Sequence, residues 1–494
     1  MIEKITSSYL HSLQAIYNRI GNRGICVDPL RLKEAKIFVN EEIKKNLEIA
    51  TTQWNCTVYL GAENDDGSEG SVNINANNGQ RTLVKKMQEL GYEIPKITKK
   101  DSEGNYDQKF SSSELALQKI LVKNQFNYAG GDPAIRAILK IRELGKIKSS
   151  YLNARLYKTP DDLLLYLSSY NVAGTVTGRR SSKKHTFGFG NNAQNFPKHG
   201  SIAKTFRRCL VARPGGIFLM VDQKGAEEWP VLALSGNTSA LTELQTGLNR
   251  HLKRAAFLFG LDLSVKSEGE WKDGMEYYLG KKCGHAKNYG MRGNRMSDSL
   301  AQEGFSINPT MCQHLLDKLT AFDPSTENVF HKYIQEQLYK SRVLETPAGR
   351  QRQFLGLRPN DTNYSILNEA YAYVPQSTVG DNTGFAVFHL ENNSARDTSF
   401  IVQEGHDSIV QDLPHSSDRI WTALEHTIRA FEREFVFYNG IRINIPIEAE
   451  IGFDFATTVK IKDLSYAGVC EALEKVVKLR EQEMDEKREE IINA

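Results

Sequence analysis

Ile217-Phe-Leu-Met-Val-Asp222 is a run of five apolar residues closed by an acid, and Ile401-Val-Gln-Glu-Gly-His406-Asp407-Ser408-Ile-Val410 is a pair of apolar half-strands folded about another. An acid at the end of such a run must sit where the strand leaves its sheet, because burying its charge is costly. Gly405 to Ser408 can form the tight connection of a hairpin. Taken alone, Asp222 is equally well a helix N-cap before Gln223–Trp229, and Asp407 reads first as a turn aspartate. Together they imply more. Two carboxylates on neighbouring strands can bridge two Mg²⁺ ions roughly 3.5–4 Å apart, as in sites where one ion activates an attacking hydroxyl and the other stabilises a departing pyrophosphate.

Between the two acids, Lys281, His285 and Tyr289 stand four residues apart, a spacing that shares one helix face. Lys and His there can clamp a phosphate, and the aromatic ring can stack on a base. A solvated basic face fits the same spacing. Gly290 and Gly293 should end that helix. Upstream, Gly174-Thr-Val-Thr-Gly-Arg179-Arg180-Ser181-Ser182-Lys183-Lys184-His185 sets a basic run among small residues. Such a run suits a phosphate backbone, or is simply an exposed loop.

The bulk numbers set the frame. A chain of 494 residues is too long for one compact core. With 40% hydrophobic and 25% charged residues it reads as an ordinary globular protein. The net charge of +3 neither demands nor excludes nucleic acid. The six scattered cysteines include no C-x-x-C pair, which argues against a zinc site or disulfide framework. No signal peptide or membrane span is read, so a cytoplasmic location is expected (a bacterial host cell if the chain is phage-encoded).

Helical spacing dominates residues 1–60. Turn-rich loops follow at Glu63–Gly70 and Lys99–Asn105. Asp132-Pro133 opens a long helix carrying Ile135, Ile138, Ile141, Leu144, Ile147 and Tyr151 on one face. Strands and loops begin near residue 170, a helical block spans about 240–345, and strands return near 370–463. The tail 464–494 reads as one charged helix.

With these segments in order, the chain resembles family A DNA polymerases, the bacterial DNA polymerase I class, and particularly their compact phage-like members. Thr177-Gly-Arg179…Ser181-Ser182…Gln194-Asn195-Phe-Pro197 is similar to the T-G-R-x-S-S…Q-N-x-P segment. Asp222…Glu227 resembles motif A, Lys281…Tyr289-Gly290 motif B, and His406-Asp407 motif C. The helix with Lys146-Ile-Lys148 resembles the thumb helix, Asn249-Arg-His251…Phe259-Gly260 the D-x-H…FG segment, Pro375-Gln376 the P-x-Q region, and Ile445–Glu450 the closing strand. The resemblance covers roughly residues 15–463.

It implies an α+β right-hand polymerase with an antiparallel-sheet palm, a helical fingers insertion and a helical thumb. The expected domains are 1–168 for the N-terminal helices and thumb, 169–242 and 363–463 for the two parts of the palm, 243–362 for the fingers, and 464–494 for the charged helix. The implied activity is template-directed extension of a primer with dNTPs. Asp222 and Asp407 would bind two Mg²⁺ ions, which Mn²⁺ can replace. Lys281, Lys282, His285, Tyr289, Glu227 and His251 would contact the nucleotide, with Glu227 closing the space beside the sugar 2′ position. Arg179, Arg180, Ser182, Asn195, Gln376, His406, Lys146 and Lys148 would contact primer–template DNA.

The pattern also departs from the family. Lys281 and His285 stand for the usual Arg and Lys, so that Lys282 or Lys287 is a candidate to share the phosphate role. Gly293 replaces the second aromatic, Ser408 the usual Glu, and Trp229 the usual Arg. Only about 130 residues precede the thumb helix, so no proofreading exonuclease or 5′ nuclease is expected in the chain. A separate exonuclease, a helicase and other replication proteins are the candidate protein partners. The alternatives are a single-subunit RNA polymerase, against which Glu227 argues, and a catalytically weak DNA-binding scaffold of a replication complex.

Overall fold

A computed structural model of the chain describes residues 4–60, 70–76, 82–100, 106–123, 132–198, 200–355, 364–392 and 400–493. The expected loops at Glu63–Gly70 and Lys99–Asn105 lie mostly outside them. The chain divides into two compact units.

The smaller unit, Glu34–Leu152 with Arg292–Asp317, is mainly helical. Its helix Pro133–Ile147 starts as its sequence dictates. Asp132 accepts from the N–H groups of Ala134 and Ile135 at 2.8 and 3.1 Å, and Pro133 needs no N–H partner in the first turn. Ile135, Ile138, Ile141, Leu144 and Ile147 are its buried stripe, and Lys148–Leu152 continues as a single wider turn.

The larger unit comprises residues 1–33, 153–291 and 318–494. In chain order it uses α1 (Ser7–Arg23), the hairpin β1 (Ser168–Asn171) and β2 (Ser181–Lys184), β3 (Gly216–Gln223), α2 (Glu228–Leu234), α3 (Arg250–Phe259), α4 (Met275–Asn288), α5 (Tyr364–Asn392), β4 (Ile401–Glu404), β5 (Ser408–Pro414), α6 (Ser417–Phe431), β6 (Ile447–Gly452), β7 (Thr458–Ile461) and α7 (Tyr466–Asn493). Five strands make one sheet in the order β4-β5-β3-β6-β7, every neighbour antiparallel.

Strand alternation decides where the chemistry falls. Ile217, Leu219 and Val221 belong to one buried cluster with Ile409, Leu413, Ala449 and Ile451, and that cluster includes residues of α1, α5 and α6. Phe218, Met220 and Asp222 therefore point to the opposite face. Phe218 packs edge-on to Phe455 at 4.9 Å, while Asp222, near the strand end, stays partly exposed. The strands β1 and β2 pair antiparallel as a separate two-stranded sheet, with Ser169 opposite Lys183.

The last helix, α7, buries Val469, Ala472 and Val476 in its first turns. Further along, Glu483 accepts from Arg208 at 2.8 Å. The charged pattern that marks the tail as a helix thus describes its outer face, while the inner face is apolar.

Candidate active site

The strand register brings the two acids together. Asp222 on β3 lies opposite Ser408 on β5, so Asp407 is one residue from the paired position. The backbone closes the junction, since the Gln223 N–H donates to the Asp407 carbonyl at 3.1 Å. On its other side Asp222 lies opposite Glu448 of β6, and Met220 lies opposite Glu450. Burial and the nearby Asp407 and Glu448 push the Asp222 carboxyl up to about 8. Burial also raises Asp407.

Such a pair resists carrying two negative charges, and a bound divalent cation would relieve that repulsion. The donor chemistry therefore fits Mg²⁺ or Mn²⁺ held by oxygen ligands. No group of three or more His, Cys, Asp or Glu side chains arranged to hold a metal occurs among the described residues. The remaining ligands would be water, backbone or phosphate oxygens. A cavity of about 310 Å³ opens beside Asp222, and Lys198, Arg207, Glu448, Glu450 and Lys460 line it.

Behind the acids stands a buried polar lattice that the sequence reading missed. Gln223 is 1% exposed and uses both amide hydrogens, donating to the Val379 carbonyl at 3.1 Å and Thr383 Oγ1 at 2.9 Å. Asn382 Nδ2 donates to Gln223 Oε1 at 2.8 Å, and Thr383 Oγ1 donates to the His406 carbonyl at 3.0 Å. These bonds fix the ends of both acid-bearing strands against α5. A signal was present: Gln223 has the core-facing parity of Ile217, Leu219 and Val221, where a polar residue needs a partner.

The turn that carries His406 and Asp407 is similarly held. His406 takes φ of 76°, a left-handed conformation uncommon outside glycine. Buried Glu404 accepts the His406 N–H at 3.0 Å and Gln194 Nε2 at 3.1 Å. Burial, Arg179 and Lys198 lower the His406 imidazole to about 4, so the ring is neutral at pH 7.

Glu227 and Tyr289 meet directly. The tyrosine hydroxyl donates to Glu227 Oε2, and Arg179 donates to Oε1 of the same carboxylate. Gln376 also hydrogen-bonds Tyr289. Burial and then Glu227 raise the phenol well above its ordinary value.

The helix α4 runs to Asn288. Gly290, at φ of 66°, then takes the left-handed conformation. Lys281 is exposed, Lys282 half-buried, and His285 lies 5.6 Å from the His251 ring of α3. Burial lowers both imidazoles, His251 to about 3. The helices α3 and α4 approach closely because Gly280 and Gly284 face α3. A Cβ on Gly280 would lie 2.8 Å from the His251 carbonyl oxygen, and one on Gly284 2.8 Å from Arg254 Nη1. Two glycines four apart in a helix without a capping role were the sequence signal for this contact.

Three expectations need correction. Arg180 is 1% exposed: its guanidinium donates to the Gly380 carbonyl and lies over the Tyr17 ring, out of reach of a DNA phosphate. Ser182 is buried, and its Oγ accepts the Ala193 N–H at 3.2 Å. Lys287 is buried too, donating to the Asp323 carbonyl at 2.6 Å and pairing with Glu327 at 3.3 Å. It cannot share the phosphate role. Asn195 is exposed, Gln376 is half-buried, and in the smaller unit Lys146 is exposed and Lys148 half-buried.

The fold is that of a polymerase domain. The POL domain of Pol1 from M. smegmatis, solved in complex with DNA primer-template and dNTP, superposes with a TM-score of 0.68 at 16% sequence identity, covering 90% of this chain and 70% of that one. The chain belongs to DNA polymerase family A, whose family model matches residues 47–456. Thermostable DNA polymerase I of Thermus filiformis is 26% identical over 327 residues, which is 65% of this chain and 36% of that protein. The DNA polymerase of Mycobacterium phage D29 is 27% identical over 288 residues, 58% of this chain and 42% of its own length. The chain thus spans less than half the length of these curated relatives.

Proposed function

We propose that this chain is a template-directed DNA polymerase that extends a primer with dNTPs. The observation that carries the reading is the register of β3 on β5, which sets Asp222 beside Asp407 at the open end of the sheet. Family membership and the fold support it. In this reading residues 169–242 and 363–463 form the palm, 243–362 the fingers, and 1–168 the N-terminal helices and thumb.

Asp222 and Asp407 would hold two Mg²⁺ ions, with Mn²⁺ as a substitute, and the ions would supply the positive charge that activates the primer hydroxyl and stabilises the leaving pyrophosphate. The chain's own groups do the rest by placement. Lys281 is the exposed cation of α4, placed to meet the triphosphate, with Lys282 beside it. His285 and His251 are neutral and so act as hydrogen-bonding groups toward phosphate or sugar. Glu227, held by Tyr289 and Arg179, forms the wall against a 2′-hydroxyl. Arg179, Gln376, Asn195 and neutral His406 face the primer–template, and Lys146 and Lys148 are further candidate contacts to a phosphate backbone.

The test is primer extension with Asp222→Ala and Asp407→Ala, alongside binding of the same primer–template. Each substitution should lower the extension rate on the order of 10³-fold or more while DNA binding persists. Near wild-type extension by either variant would remove the metal assignment.

A further inference from the structure

The segment between Ser182 and Gln194 begins with the end of the basic run, Lys183-Lys184-His185, and is assigned no contact in the proposed function. It carries Phe187, which is 75% exposed. A single exposed phenylalanine is ordinary. What sets this one apart is the rigidity of the turn that presents it and the charge around it.

The turn is fixed at both ends. Buried His185 donates from Nε2 to Asn22 Oδ1 at 2.9 Å, and its Nδ1 accepts the Phe187 N–H at 3.4 Å. The Gly188 N–H returns to the His185 carbonyl at 2.8 Å, and the His185 N–H donates to the Phe189 carbonyl at 3.1 Å. Gly190, at φ of 54°, donates to the Arg155 carbonyl at 2.7 Å, where a Cβ would strike the Leu167 carbonyl at 1.9 Å. Ser169 Oγ accepts the Thr186 N–H at 3.1 Å. Phe187 is thus held out from a built turn, with its ring 5.6 Å from the His185 ring.

Lys183 and Lys184, both exposed at the end of β2, have no acidic partner among the described residues. Arg155 lies over the Phe189 ring at 4.6 Å, and Tyr157 packs edge-on to that ring at 5.4 Å. Aromatic faces interleaved with unpaired cations are the recognition surface of an unpaired nucleic-acid strand: bases stack, and phosphates meet the lysines.

We infer that the turn His185–Gly190 is a stacking platform for single-stranded DNA, with Phe187 receiving a base and Lys183 and Lys184 its flanking phosphates. This rests on the reading that the chain binds DNA. The platform adds a contact to the unpaired strand through residues other than those assigned to the site of Asp222 and Asp407.

The test compares binding of a primer–template bearing a long 5′ single-stranded overhang with binding of the same duplex made blunt, by fluorescence anisotropy. Phe187→Ala should weaken binding of the overhang substrate roughly fivefold or more and leave the blunt duplex unchanged. Lys183→Ala with Lys184→Ala should weaken overhang binding and lower its salt dependence. Phe187→Trp should retain affinity, and single-stranded DNA should quench its added emission. Extension of a primer on a template with a short overhang should be unaltered in Phe187→Ala, which also reports that the variant is folded. Equal loss on blunt and overhang substrates would overturn the single-strand assignment, and so would no loss on either. Absence of any DNA binding by the unaltered chain would instead sink the underlying polymerase reading.

Discussion

Tyr289 donates its hydroxyl hydrogen to Glu227, tying the residue that follows α4 to the residue that precedes α2. Arg179 completes the arrangement from the loop before β2. A carboxylate fixed from two sides is a firm wall, whereas a free glutamate could swing aside. Glu227→Ala should therefore raise ribonucleotide incorporation by about tenfold or more, a change of about 1.4 kcal/mol in relative transition-state binding. Tyr289→Phe keeps the ring and the Arg179 contact but removes one restraint, so its effect should have the same sign and be smaller. Single-nucleotide insertion kinetics with paired dNTP and rNTP measure both, and unaltered discrimination in Glu227→Ala would remove the gate.

The Asp222 carboxyl gives a prediction in pH. Its ordinary value is 3.8, and burial with Asp407 and Glu448 raises it to about 8 in the folded chain. Between those values the folded state binds more protons than the unfolded state, so stability falls as pH rises from about 4 to about 8. Metal-free protein should melt at a lower temperature at pH 8.5 than at pH 5.5. Asp222→Asn, which never ionises, should shrink that difference, because it removes a pH-linked stability change on the order of 1–3 kcal/mol. The same proton competes with a cation, so Mn²⁺ should bind the unaltered chain more tightly as pH rises toward 8. Thermal melts and Mn²⁺ titrations, each in the presence and absence of the substitution, decide both parts.

What the sequence made legible follows from range. The strands ending in Asp222 and beside Asp407 were readable because a run of apolar residues and a turn signal are local properties. The same is true of the helix after Asp132-Pro133, whose cap and buried stripe lie within its own residues. Burial of individual polar residues was not readable in this way. Arg179 and Arg180 are neighbours in one basic run, yet one reaches Glu227 while the other is enclosed beside Gly380 and Gly384 of α5, about 200 positions on. Lys287 and Lys281 sit on different faces of the one helix α4, and the partners that bury Lys287 lie near residue 323. Gln223 shares the core-facing parity of its strand, but the α5 groups that satisfy it, Val379 and Thr383, lie 156 and 160 positions away.

The packing of α3 on α4 gives a stability test. Alanine normally favours a helix interior over glycine by about 1 kcal/mol. At Gly280 the new Cβ would meet the His251 carbonyl oxygen at 2.8 Å and the Ala255 backbone nitrogen at 2.9 Å, neither of which can turn away. At Gly284 the nearest atom is the end of the Arg254 side chain. Gly280→Ala should destabilise the chain by about 1–3 kcal/mol, and Gly284→Ala should cost less. Urea unfolding of both variants checks the order. Equal stability would mean that α3 and α4 can separate without loss.

Glu228 adjoins Glu227 in sequence but faces the interior, where Arg250 and Arg254 of α3 donate to its carboxylate. Burial opposes its charge, yet Arg254, His251 and Arg250 hold its carboxyl well below the usual range. Glu228 and both arginines are buried, at 5–6% exposed. Removing one member strands charges that water cannot reach, which costs about 3–5 kcal/mol. Glu228→Gln should lose stability of that order. Replacing Glu228 and Arg254 together with methionine and leucine should recover part of the loss, because the remaining Arg250 keeps Glu243 as a partner at 2.7 Å. Chemical denaturation of the two variants reads the coupling directly. If the double variant is less stable than Glu228→Gln, the cluster gains its strength from packing rather than from charge pairing.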